Sequence, residues 1–314
     1  MEKCLKCANL VIPGAAFCSN CGTNLVQSKN WIPCPSCLKI INRTDSFCPW
    51  CGKGITNIDN LGFVTPEMIF IEGGSFVMSK GESAHQVNLS AFKISKALVT
   101  QELYEAVMKI NPSKIKKANH PVESVNWCEA VIFCNELSNL LKLEPCYSLD
   151  NHTNLDGFDY SSQIWNRLEC NLNANGFRLP TEAEWEYVAR GGKFSAPFLY
   201  SGSHEINDVA WYGENSDIST HEVCKKKPNN LGIYDMCGNV AEWTFDKFQK
   251  LPIVQQTNPT GPSYLDTTAN HVKRGGSWLD DKEQCTVYFR SASVRTGKSS
   301  SLGFRLCAKA AKKI

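Results

Sequence analysis

The apolar positions change period along the chain, and each change marks an element. In residues 100–110, TQELYEAVMKI, Leu103, Val107 and Ile110 recur three and four apart. That spacing predicts a helix capped by Thr100 and ended by the following Asn-Pro-Ser. Residues 126–142 repeat the pattern with Asn126 at the N-cap and Glu129 at the third helical position, turning Ala130, Phe133, Leu137 and Leu140 or Leu141 inward. Asn and Glu at that spacing satisfy each other's backbone donors, a capping box. Thr181 and Glu184 set up the same device before TEAEWEYVARGG, which Gly191 and Gly192 end. Elsewhere the apolar runs are short and alternate with polar residues: MIFIEGGSFVM from Met68, HQVNLSAFKIS from His85 and LGFRLCA from Leu302. These read as strands. Short strands, long loops and a few helices predict an α+β domain over residues 65–314, its core organised by aromatics.

The first fifty residues follow no such period. Their order is set by cysteine: Cys4-x2-Cys7-x10-Cys18-x2-Cys21, then the same spacing thirty residues later at Cys34, Cys37, Cys48 and Cys51. Neither unit is long enough to bury a core, so a metal has to stand in for one. Each C-x2-C pair supplies two thiolates from one tight turn, and two pairs close a tetrahedral site suited to Zn2+. The segment resembles a double zinc ribbon, with one ribbon at 1–26, a second at 27–53 and a polar, glycine-punctuated linker at 54–64. Closed four-thiolate sites are structural, so two zinc ions with no catalytic duty are expected. The alternative metal for such a site is iron.

Composition narrows the function classes. The chain of 314 residues carries 33 Lys and Arg against 31 Asp and Glu, a formal charge of +2. That balance gives no reason to expect nucleic acid or an anionic membrane as partner. No apolar run is long enough to span a bilayer. The remaining eight cysteines are scattered, and no signal peptide precedes them, so reduced thiols in the cytoplasm are expected.

Six stretches then occur in a telling order: MIFIEGGSFVMS (68–79), HPVESVNWCEAVIFCNELS (120–138), NGFRLPTEAEWEYVARGG (175–192), VAWYGENS (209–216), KKPNNLGIYDMCGNVAEWTFD (226–246) and VKRGGSW continuing to LGFRLC (272–307). Together they resemble the formylglycine-generating enzyme (sulfatase-modifying factor) family across almost all of residues 65–310. The resemblance implies a C-type-lectin-like fold with little regular secondary structure. In active members it implies oxidation of a substrate cysteine at copper(I) held by two cysteines. The positions corresponding to those cysteines are Asp280 and Cys285, with Ser277 beside them. Copper(I) is soft, and a carboxylate does not replace a thiolate for it, so copper is not expected. Ala241 stands where active members carry a pocket tryptophan. The resemblance also implies a Ca2+ loop using Asp235 and Glu242 with the carbonyls of Gly238 and Val240. The alternative for these residues is that Asp235 caps a turn and Glu242 pairs with an arginine of a GFR motif, Arg178 and Arg305 being read as buried ion-pair members. The family's iron branch needs a histidine set, and the six histidines here show no such spacing.

The expected function is therefore a non-catalytic ligand- or protein-binding module. Residues 279–301 would be its ligand-facing surface, and the ribbons would serve docking or assembly. One enzymatic alternative is a metal-dependent oxidoreductase with an altered site. A second alternative is a retroelement-diversified variable protein; Lys282, Glu283 and Gln284 weigh against that history, since adenine changes in an asparagine codon do not produce them.

Overall fold

The computed structural model describes residues 31–33, 40–42, 49, 63–262 and 270–310. The chain divides into two compact units, Met1–Thr65 and Pro66–Ile314. The eight ribbon cysteines lie outside the described residues. What is described of the first unit is an antiparallel pair, β1 (Trp31–Pro33) with β2 (Ile40–Asn42), with Ile32 opposite Ile41.

In the second unit the first strands are β3 (Met68–Ile71), β4 (Gly74–Met78), β5 (His85–Leu89) and β6 (Phe92–Ser95). Along β5, His85, Val87 and Leu89 are buried and the residues between them are not, which is the alternation of a strand with one covered face. The helices follow: α1 (Gln101–Met108) and α2 (Trp127–Leu140). Short strands β7 (Tyr147–Ser148), β8 (Glu169–Cys170) and β9 (Phe177–Arg178) lead to α3 (Glu182–Ala189) and the single turn α4 (Ile206–Val209). The chain closes with β10 (Ala241–Lys247), β11 (Gln256–Thr257), β12 (Asn270–Arg274), β13 (Arg290–Val294), β14 (Leu302–Phe304) and β15 (Cys307–Lys309). Four small sheets result among the described residues of this unit, ordered β13-β12-β10-β14, β11-β5-β4, β3-β6-β15-β9 and β7-β8. The architecture is α+β with few helices. No helix among the described residues is long and apolar enough to cross a membrane.

The caps are where the sequence puts them. The Thr100 hydroxyl accepts from the Leu103 N–H at 3.2 Å, and both capping boxes, Asn126 with Glu129 and Thr181 with Glu184, are closed. Ile110 departs from expectation and is 59% exposed. Lys109 adopts a left-handed conformation (φ 63°) that ends α1 at Met108, so Ile110 never joins the helical face. At the end of α2, Ala130, Phe133 and Leu137 are buried, whereas Leu140 is exposed and Leu141 is half-buried.

Helix α3 is buried on every side, and it carries three glutamates. Charge in that position requires partners. Glu184 is gripped by both terminal nitrogens of Arg178, each at 2.6 Å. Glu182 pairs with Arg274 and Arg290, and Glu186 with Arg274 at 2.7 Å and with Arg190. One helix thus ties β9, β12 and β13 together through buried ion pairs.

Candidate functional site

The loop from Arg274 to Cys285 follows β12, and its conformation depends on two glycines. Gly275 (φ 91°) and Gly276 (φ 65°) are both left-handed. A side chain at Gly276 would lie 2.7 Å from the Cys285 sulfur. The glycine pair therefore folds the backbone around that thiol. Cys285 is fully buried, its Sγ 3.9 Å from the Ser277 carbonyl. Burial pushes its thiol well above the ordinary range, so it is not a thiolate at neutral pH. Cys237 shares the same apolar core, accepts from the Ser201 N–H at 3.2 Å, and is pushed up to about 12 by burial.

Ser277 is also fully buried. Its hydroxyl donates to the Asp280 carboxylate at 2.6 Å and accepts from the Leu279 N–H at 3.3 Å. The loop is pinned on its other side as well: Gly213 N–H donates to the Asp280 carbonyl, Trp278 N–H to the Asn239 carbonyl, and the Trp278 indole to the Ser300 carbonyl. The structure thus brings Ser277, Asp280 and Cys285 into one turn. The donor set there is a hydrogen-bonded carboxylate, a hydroxyl and one protonated thiol, which does not fit copper(I). Among the described residues, no group of three or more His, Cys, Asp or Glu is placed to hold a metal. The eight cysteines of this unit are all free thiols.

The loop expected to hold calcium has its carboxylates engaged. Asp235, itself left-handed at φ 55°, accepts from the Cys224 N–H at 2.8 Å and from the Asn239 side chain. Both Glu242 oxygens take hydrogen bonds from Arg305, at 2.6 and 2.9 Å, and Arg305 also donates to the Tyr234 and Asp235 carbonyls. Gly238 lets the backbone pass against Trp211, whose carbonyl would be 2.2 Å from any side chain there, and Val240 is buried. Arg305 thus supplies the positive charge facing Glu242. Ala241 is buried at the start of β10, its N–H donating to the Ser301 carbonyl.

Beside the loop lies an open basin of about 610 Å³. Leu199, Tyr200 and Tyr212 meet Lys282, Glu283 and Thr286 there. Sequence reasoning missed the basin because residues near 200 and 212 come from distant loops. It also treated residues 279–301 as one exposed surface, whereas Thr286, Val287 and Arg295 within that span are buried. Arg295 spends its guanidinium on the Tyr160, Ser161 and Ser162 carbonyls and on Asn166.

Comparison with known proteins fits this geometry. The family model for the sulfatase-modifying factor enzyme 1-like domain matches residues 59–310, and that for the double zinc ribbon matches residues 2–53. The chaperone protein LppX of Paenibacillus barcinonensis is 34% identical over 264 residues, covering 77% of this chain and 89% of that one. The formylglycine-generating enzyme of Mus musculus is 32% identical over 212 residues, which is 62% of this chain but 46% of the enzyme. Among solved structures, Treponema denticola variable protein 1 superposes with a TM-score of 0.73 at 38% identity, covering 80% of this chain and 97% of that one. The chain belongs to the sulfatase-modifying factor enzyme 1-like (formylglycine-generating enzyme) family, carrying that domain behind a double zinc ribbon.

Proposed function

We propose that this domain is a non-catalytic member of its family that binds a protein or ligand in the basin beside residues 279–286, with two zinc-loaded ribbons for docking or assembly. The observation that carries the reading is the Ser277–Asp280 hydrogen bond, 2.6 Å long, at the position where active members place a copper thiolate. A carboxylate held by its own loop, next to one buried and protonated thiol, supplies no soft two-sulfur site. The mixed basin, with two tyrosines and charges of both signs, has the chemistry of a recognition surface. The similarity to proteins named a chaperone and a variable protein supports the same reading. Eight free thiols are consistent with work in a reducing compartment.

Metal loading tests this. The full chain and its Cys285→Ala variant are loaded with copper(I) and zinc, and their contents compared. The reading expects two zinc ions per chain and identical copper content in both proteins. Copper lost on removing Cys285 would favour an oxidoreductase with altered ligands.

The likeness to a variable protein favours a second reading, in which the basin residues are diversified between copies of the gene. Sequencing the locus across related strains decides it. Substitutions clustered at Leu279–Glu283 with an unchanged RGGS frame would support diversification, and uniform identity would remove it.

A further inference from the structure

Two loops of the second unit, residues 109–120 and 216–227, lie side by side. Val223 N–H donates to the Asn119 carbonyl at 3.1 Å, and His120 Nδ1 stands 3.0 Å from the Thr220 hydroxyl. None of the residues lining the basin belongs to either loop. Together the loops carry seven lysines against two carboxylates, Asp217 and Glu222. Seven less two is a charge of +5, in a chain whose total is +2. Counting the exposed Glu102 and Glu105 of α1 as well still leaves +3. The excess sits in the first loop. Lys225 and Lys227 pair with Glu222 and Asp208, and Lys226 lies over the Trp211 ring. The other four, Lys109, Lys114, Lys116 and Lys117, are exposed, and among the described residues none of them is in an ion pair.

Apolar side chains stand among these lysines. Ile110, Ile115 and Ile218 are 59%, 50% and 81% exposed, and the backbone holds each of them outward. The left-handed Lys109 turns Ile110 off α1. The fully buried Gln101 side chain donates to the Ile115 carbonyl at 3.1 Å and accepts from the Asn111 amide and the Lys117 N–H. Ser113 and Glu123, also buried, accept from the Glu123 and Lys114 N–H groups. The first loop thus keeps its polar anchors inside and its isoleucines outside, the reverse of ordinary burial. Across from it, Lys117 and Asp217 line one opening, which sets Ile218 beside the lysines. Asp217 (φ 50°) and Ile218 (φ 55°) are both left-handed. That conformation is costly for a β-branched residue, and Ile218 gains no burial from it.

We propose that the two loops form a docking face for an anionic lipid bilayer, with Ile110, Ile115 and Ile218 entering the headgroup region and Lys114, Lys116 and Lys117 meeting lipid phosphates. Lysine stems lie along an apolar boundary while their ammonium groups stay in the anionic layer, which suits lysine interleaved with isoleucine. Neither loop contains an arginine, tyrosine, tryptophan or phenylalanine. The face therefore lacks the forked donors and aromatic anchors that protein and nucleic-acid partners use. A bilayer needs no pocket, and projecting isoleucines supply none.

The test is co-flotation of the zinc-loaded full chain with vesicles. One set is phosphatidylcholine alone, and the other contains about one part in three of phosphatidylserine to supply the anionic surface. A polyglutamate peptide is titrated separately. The expected result is saturable binding to the anionic vesicles, weaker binding to the neutral ones, and a fall as salt is raised. Lys114→Gln and Lys116→Gln should each weaken binding about fivefold, the worth of one lysine at such a surface. Ile115→Ser and Ile218→Asn should each weaken it about tenfold, the effect of losing one inserted aliphatic side chain. Asparagine tolerates the left-handed turn, and all four side chains are exposed, so the variants should melt with the parent. Lys250→Gln, an exposed lysine elsewhere, should change nothing. The proposal is overturned if both vesicle types bind alike, or if the lysine or the isoleucine variants bind as the parent does. Saturable binding of polyglutamate with none to vesicles would overturn it in favour of an acidic protein partner.

Discussion

At Asp280 the chemistry turns on one atom type. A thiol there would lie beside the turn that encloses Cys285; the carboxylate present is tied to Ser277 instead. Removing that acceptor with Asp280→Ala should cost about 1 kcal/mol in unfolding free energy, the net worth of one hydrogen bond. Cys285, sealed under Gly276, should resist iodoacetamide in the native protein and react only on unfolding. Mass mapping checks this, and native alkylation of Cys285 would contradict the geometry. His271 makes a separate residue-scale prediction. It is fully buried, stacked 3.7 Å from Trp127, and held down to about 3 by burial. The unfolded chain binds the proton more readily, so stability should be complete above about pH 6.5 and fall as pH drops from there toward 3. The slope in that window should flatten in His271→Gln, measured by denaturant unfolding across pH.

Among the elements, α3 carries the most consequence. Its three glutamates reach Arg178, Arg190, Arg274 and Arg290, so truncating one takes a carboxylate partner from a buried guanidinium. Glu186→Ala should destabilise by about 3–5 kcal/mol, and Asn126→Ala, which removes only the cap of α2, by about 1 kcal/mol. Chemical denaturation of the two variants measures the contrast. The caps of all three longer helices were legible in the sequence because N-cap chemistry is local, fixed by residues three apart. The all-round burial of α3 was not. EAEWE places its acids on different sides of a helix, which reads as solvent exposure until distant arginines are brought to each side. Ile110 failed for the opposite reason: a left-handed Lys109 ended the helix at Met108, two residues before it. The RGGS frame and the Asp280 substitution were visible in the sequence, but the basin was not, because it joins loops near 200, 212 and 283 that only the fold brings together.

For the whole molecule, the metal module and the family domain rest on different physics. Units as short as a zinc ribbon fold on their metal, whereas the second unit builds its own apolar core around Trp185, Ile94, Val87 and Val287. A chelator should therefore strip two zinc ions and leave the main thermal transition of the Pro66–Ile314 unit within a degree or two. Calorimetry with and without chelator reads this, and loss of the main transition would show that the domain depends on the ribbons. As proposed above, this family domain binds and does not oxidise. The most direct measurement is oxygen uptake by the copper(I)-supplied full chain with a cysteine-bearing peptide and a thiol reductant, with mass spectrometry of the peptide. The expected result is no uptake beyond that of the Cys285→Ala variant and an intact peptide cysteine. Conversion of that cysteine to an aldehyde, lost in Cys285→Ala, would contradict it.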